Sequence, residues 1–172
     1  MKVWVLRLGH RHHRDERISS HCGLVARAFG AEGIIYSGEK DVSLLNSIKK
    51  VVDNWGGSFE VKYEKDWRKI IRNWNGKKVH LTMYGLPVQK KISEIKKSND
   101  NLLIIVGSEK VPSEVYHLVD WNISVTSQPH SEIAALTVFL NMFFENKKLN
   151  KEFKYAKIKI IPQERGKKTI SS

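Results

Sequence analysis

The chain has 172 residues, 41% hydrophobic and 28% charged. That suits a core able to remove roughly 70% of the unfolded surface from water and excludes an extended disordered chain. Thirty Lys and Arg against 18 Asp and Glu leave a net charge of +12, which favours a polyanionic partner, because each phosphate neutralised by a cation releases condensed counterions. The single Cys22 excludes an intrachain disulfide and a cysteine-built zinc site. With no leader pattern and no apolar run near the roughly 20 residues of a membrane span, the expectation is a cytoplasmic protein.

In chain order, Val3, Val5, Leu6 and Leu8 predict a short strand, followed by the charged loop Gly9–Arg17. Leu24, Val25, Ala28 and Phe29 recur at helical spacing, with Gly30 as a stop. Gly33–Tyr36 reads as a strand, Leu44, Leu45, Ile48, Val51 and Val52 as an amphipathic helix ending before Gly56, and Phe59–Tyr63 as a strand. Trp67, Ile70, Ile71 and Trp74 mark one face of a helix, which makes both tryptophans core residues. Val79–Tyr84 is a strand, Val88, Ile92 and Ile95 a helix, and Leu102–Val106 a continuous apolar run of the kind buried on both faces. A short helix, the strand Asn122–Val125 and the helix Ser131–Glu145 follow. Strands alternating with helices predict an α/β fold with a mostly parallel sheet and helices on both faces. The tail alternates Phe153, Tyr155, Ile158 and Ile160 with lysines. Beyond the turn Gln163–Gly166, Lys167–Ser172 could pair back as a β-hairpin with one apolar face. The division expected is a main domain over 1–150 with this hairpin extension over 151–172.

Three loops follow strands on what would be one edge of the sheet: Leu81–Gly85, Val106–Pro112 and Val125–Glu132. In open parallel sheets, ligands bind outside the carboxyl ends of the strands. The third loop concentrates Thr126, Ser127, Gln128, Pro129 and His130 just before Ser131 opens a helix. Such a junction presents unpaired backbone N–H groups beside polar side chains. Neither the Gly-x-Gly-x-x-Gly nor the P-loop pattern is present, so classical dinucleotide and P-loop sites are not expected.

Several long blocks, in order, resemble one family. They are Leu6–His10 with Arg14–Arg17, His21–Ile34, His80–Gly85, Val106–Pro112 and Ser127–Leu136, spanning nearly the whole chain. The family is that of the archaeal tRNA cytidine 2′-O-methyltransferases of the SPOUT superfamily. The resemblance implies a C-terminal trefoil knot, S-adenosyl-L-methionine as cofactor, a homodimer whose active site uses both protomers, and tRNA as partner, methylated on the ribose of the T-loop cytidine at position 56. It implies cofactor contacts at Leu81, at Gly107, Ser108, Glu109, Lys110 and Val111, and at Val125, Thr126, Ser127, Gln128, Pro129, His130, Ser131 and Glu132. Arg27 matches the arginine that such enzymes place beside the reacting ribose. Arginine keeps its proton, so its expected role is to stabilise the developing alkoxide rather than act as base. Ser131 and Glu109 complete the expected catalytic set. His21 stands where the superfamily has asparagine, and Pro129–Ser131 replace its Ser-Leu-Asn.

Arg7, His10, Arg11, Arg14, Arg17 and His21 are expected to form an RNA-facing surface. His10, His12, His13 and His21 also invite a metal reading, but without cysteine or a His-Glu-x-x-His helix no metal is expected. Competing readings are a SPOUT-type base methyltransferase, a non-catalytic basic RNA-binding protein, and a metal-dependent phosphodiesterase built on the histidine loop.

Overall fold

The computed structural model describes residues 1–108 and 110–171. Its elements run β1 (Val3–His10), α1 (Glu16–Ala28), β2 (Gly33–Gly38), α2 (Val42–Trp55), β3 (Glu60–Tyr63), α3 (Trp67–Asn73), β4 (Lys77–Pro87), α4 (Val88–Lys97), β5 (Leu102–Val106), α5 (Ser113–Leu118), β6 (Trp121–Ser124), α6 (Glu132–Phe144), β7 (Ile158–Ile161) and β8 (Lys168–Ser171). The order is the one the apolar periodicity predicts. Helix α1 starts at Glu16 rather than near Leu24, because its first inward residue is polar. Ser19 is fully buried and bonded to Arg7 and His10, so it breaks the apolar stripe without leaving the core face.

Six strands form one sheet in the order β3-β2-β1-β5-β4-β6. Every neighbouring pair is parallel, so the main sheet is parallel throughout. Its central strands are apolar on both faces, and alternation sends successive residues to different layers. Val3, Val5, Leu102, Ile104 and Val106 join a core completed by α1, α2, α4 and α6, including Cys22, Ile48, Ile95 and Phe139. Trp4, Leu6, Leu8, Leu103 and Ile105 face the other way, against Ile71 of α3 and Val115 of α5. Trp67 and Trp74 pack partly buried on this second cluster, as core residues should. Asp41 and Asp66 cap α2 and α3 by accepting the Leu44 and Lys69 N–H groups at 2.9 and 3.1 Å, which anchors the helix starts.

Strand β1 lies between β2 and β5. The chain leaves β1 toward β2 on one side and leaves β5 toward β6 on the other, so the order reverses between β1 and β5. Such a reversal opens a crevice at the carboxyl edge of a doubly wound sheet.

The tail hairpin pairs antiparallel, with Lys159 opposite Ile170 and Ile160 opposite Thr169. Directly opposed residues share a face, so Ile170 lies with Lys159 and Ile161, away from Ile158 and Ile160. The expected single apolar face is therefore split between two faces. Strand β7 is also shorter than the alternating stretch that begins at Phe153. The segment ahead of it bonds to the end of α2 instead: the Gly57 N–H donates to the Lys154 carbonyl and the Lys157 N–H to the Asn54 carbonyl, both at 2.9 Å. Gly56, at φ +74°, permits this approach, since a Cβ there would collide with the Lys154 carbonyl. Among the described residues, no helix is long and apolar enough to cross a membrane.

Candidate active site

The carboxyl end of β4 does not stop cleanly. Leu81 and Leu86 both register against Ile123 of β6, so Thr82–Gly85 arches out between them over the sheet edge. Gly85 is required there because a Cβ would strike the Asn122–Ile123 backbone. Beneath the arch runs a polar chain. The Asn122 amide donates to the Tyr116 carbonyl at 2.9 Å, leaving its Oδ1 to accept from His80 Nδ1 at 2.9 Å, and the Tyr116 hydroxyl meets Thr82 Oγ1 at 3.1 Å. This bonding assigns the His80 proton to Nδ1 and leaves Nε2 as an acceptor. That Nε2 is buried without a partner among the described residues, and burial pushes the imidazole pKa below the ordinary histidine value.

The second turn follows β5. Gly107 is tight against Val111, with no room for a Cβ, and its carbonyl accepts a hydrogen bond from Arg7 Nη1. Arg7 is fully buried on β1. Its guanidinium also reaches Ser19 Oγ at 3.4 Å and lies 3.7 Å from the Glu132 carboxylate. The third turn delivers Glu132. The Gln128 N–H bonds Thr126 Oγ1 at 3.2 Å, the His130 ring donates to the Gln128 carbonyl at 2.7 Å, and Ser131 caps α6 through the Ala134 N–H at 3.2 Å. Arg7 thus binds the second and third turns together from below.

The three turns enclose a cleft of about 530 Å³, within the range of small-molecule sites. Its lining includes Leu81, Gly107, Ser108, Lys110, Val111, His130, Ser131 and Glu132, eight of the residues expected to hold the cofactor. Val125 packs on the main core, and Thr126, Ser127, Gln128 and Pro129 are exposed and absent from the lining. Those four residues shape the turn and do not form the wall. Glu109 lies outside the described residues. His80, Thr82, Met83, Tyr84, Tyr116 and Ala135 also line the cleft. Leu81–Gly85 was legible as a candidate loop, whereas Tyr116 carried no sequence signal, since it sits within a short helix far along the chain. The lining suits a sulfonium nucleoside: an unpartnered acceptor for an exocyclic amine, a carboxylate for a cation, and a glycine turn for close backbone approach.

Other expected site residues lie elsewhere. Arg27, expected beside the reacting ribose, is at the far end of α1. Its Nη2 donates to the Trp55 and Gly56 carbonyls at 2.8 and 2.7 Å, and its guanidinium stacks on Phe153 at 4.2 Å. Arg27 is thus absent from the lining of this chain's own cleft, with its Nη2 held by two carbonyls and the side chain only 7% exposed. Arg7 and His10, expected on an RNA-facing surface, are buried; a charge at the core of the chain cannot meet a phosphate outside it. Arg14, Arg17 and His21 are exposed on α1 and the loop before it, and Arg11 is half-buried against Asp15 at 2.9 Å. His12, His13 and Glu16 bring ligand atoms within 4.8 Å of one another, away from the cleft lining.

The parallel sheet with its cleft at the carboxyl edge is the fold of RNA methyltransferases of the SpoU and TrmH types. An AdoMet-bound rRNA methyltransferase from Sinorhizobium meliloti aligns at TM-score 0.62 with 16% identity, over 85% of this chain and 57% of that one. The SpoU methyltransferase AviRb from Streptomyces viridochromogenes, in complex with AdoMet, aligns at 0.60 with 16% identity, over 84% and 57%. The family model described as "tRNA ribose 2′-O-methyltransferase, aTrm56" matches residues 55–170. Curated tRNA (cytidine(56)-2′-O)-methyltransferases are similar over nearly the whole chain. The protein of Methanocaldococcus jannaschii is 55% identical over 174 residues, 99% of this chain and 97% of that protein. That of Archaeoglobus fulgidus is 54% identical over 171 residues, 99% of each, and that of Pyrococcus horikoshii 53% over 171 residues, 98% and 84%. The chain belongs to this family of tRNA ribose 2′-O-methyltransferases.

Proposed function

We infer that the chain transfers a methyl group from S-adenosyl-L-methionine to the ribose 2′-hydroxyl of the cytidine at position 56 of tRNA. The observation carrying this reading is the single cleft in which three separated turns meet, in a chain over half identical to enzymes of that name. The cofactor supplies an electrophilic methyl on a sulfonium, with a neutral thioether as leaving group. The chain's residues supply position and field. His80 Nε2 would accept from the adenine amino group, Gly107 would allow backbone approach, and Glu132, 3.7 Å from Arg7, would offset the sulfonium charge. Ser131 and Lys110 stand at the mouth, where an incoming ribose and its phosphate would be aligned for in-line displacement.

Three further features belong to this reading. The close passage of Gly85 against β6 and the double register of Leu81 and Leu86 on Ile123 support a trefoil knot in the C-terminal part of the sheet, with 151–172 as an extension of the methyltransferase domain. Helices α1 and α6, which pack together, each carry an exposed apolar pair one turn apart, Leu24 with Ala28 and Ala134 with Val138. These support a homodimer. Exposed Arg14, Arg17 and His21 near the same face support tRNA contact, and work on tRNA fits a cytoplasmic location. Incubation with methyl-labelled cofactor and unmodified tRNA, followed by nuclease mapping, should place label on the ribose of cytidine 56. Label on a base, or none on tRNA, would overturn the assignment.

A further inference from the structure

The crevice where strand order reverses, between β1 and β5, is a second cavity of about 450 Å³. Its floor is the end of β1 at Leu8, Gly9 and His10, and its opposite wall is Ser108, Lys110 and Pro112 after β5. Ser108 and Lys110 also line the cofactor cleft, so the two spaces share a wall. We propose that this crevice is a nucleotide subsite, holding an unpaired base of the RNA substrate and the phosphate beside it while the neighbouring cleft holds the methyl donor.

Three observations argue for that ligand class. Among the described residues, the lining carries three cations, Arg11, Lys65 and Lys110, against one carboxylate, Glu39. Glu39 is already engaged by the His12 N–H at 2.6 Å, and Lys65 and Lys110 have no ion-pair partner among the described residues. An unneutralised pair of lysines in a crevice favours a phosphate. Trp67 lines the same cavity with the part of its side chain left free by the second core cluster and by the Arg68 guanidinium, 4.3 Å from the ring centre. Stacking on such a ring is how unpaired bases are held without regard to their edges. The floor is bare backbone at Gly9 and Gly38, at φ +71° and +107°. A Cβ at Gly9 would come within 3.0 Å of Ser108 Oγ on the opposite wall, so glycine at this position keeps the floor clear for a flat ligand, while Gly38 lets β2 pass close to the His10 backbone. In a doubly wound sheet this reversal point is where a ligand is expected, yet the cofactor cleft lies to one side of it, over β4, β5 and β6. The subsite fills the position left over.

This proposal rests on the tRNA methyl-transfer reading, and its test separates the two. Trp67→Ala, Trp67→Phe and Lys65→Ala would be compared with wild type for tRNA affinity, affinity for S-adenosylhomocysteine by calorimetry, and melting temperature. Trp67→Ala should weaken tRNA binding about tenfold or more, leave the S-adenosylhomocysteine Kd within about twofold, and be largely rescued by Phe. Lys65→Ala should weaken tRNA binding several-fold and flatten its salt dependence. Unchanged tRNA affinity in Trp67→Ala and Lys65→Ala overturns the subsite. If Trp67→Ala does not fold, the exposed Lys65 decides alone. A wild type that binds tRNA through these residues yet transfers no methyl would overturn the activity and leave the subsite standing.

Discussion

At the scale of single residues, buried polar groups account for the site better than exposed ones do. Arg7 is a fixed charge in the core, and it earns its place by contacting two turns that are distant in sequence, at Gly107 and Glu132. Glu132 is 29% exposed, so the main loss is the buried Gly107 carbonyl left without its donor, and Arg7→Met should lower stability by about 2 kcal/mol. Cofactor binding should weaken at least tenfold at temperatures where the variant is folded, read by chemical denaturation and calorimetry. Arg7→Lys keeps the charge but loses the fork geometry, and should fall between the two. His80 makes a separate prediction. Burial holds its folded pKa below the ordinary 6.5, so the unfolded state binds more protons between the two values. Its contribution is present above about pH 6.5 and is lost as pH falls through the folded pKa. His80→Asn, which retains a donor to Asn122 and does not titrate, should therefore lose less melting temperature than wild type between pH 7.5 and 5.

At the scale of elements, the informative join is between α1, the end of α2 and the tail. Arg27 neutralises the carbonyl-rich end of α2 at Trp55 and Gly56 and stacks on Phe153, while Gly57 and Asn54 hold the tail by backbone bonds. A cation at a helix C-terminus satisfies carbonyls that have no partner within the helix. Arg27→Met should cost about 2 kcal/mol, from two unsatisfied carbonyls and a lost cation–π contact. Hydrogen exchange at Gly57 and Lys157 should quicken, with the S-adenosylhomocysteine Kd held within about twofold. A loss of methyl transfer far beyond the loss of stability, with cofactor affinity unchanged, would place Arg27 at the reacting ribose. These contacts join residues 28 or more positions apart. Helical periodicity alone marks Arg27 as one more polar residue near a helix end.

At the scale of the whole molecule, the exposed pairs on α1 and α6 make the oligomeric state testable. Leu24 and Val138 remain 38% and 42% exposed on two helices that otherwise pack into the main core. A lysine at either position places an unpaired charge in the proposed interface, where it costs several-fold to many-fold in association. Leu24→Lys with Val138→Lys should sediment as a monomer with an unchanged far-ultraviolet spectrum, whereas wild type should sediment as a dimer. Monomeric wild type at micromolar concentration would remove the homodimer reading.

The amino-acid sequence by itself determined the order of strands and helices, because apolar periods of 2 and 3.6 are local properties readable in windows of a few residues. It also marked the three turns of the cleft, because a glycine or a polar cluster just after a strand shows in the chain without its partners. Local pattern failed where partners are distant. Ser19 concealed the start of α1 because its burial is compensated by Arg7 and His10. The same bonds turned Arg7 and His10 from expected surface groups into core ones. Tyr116 entered the lining of the cleft for the same reason. Whether a charged side chain meets solvent, a carbonyl or a ligand depends on which segments the parallel sheet brings beside it, and only the tertiary structure decides that.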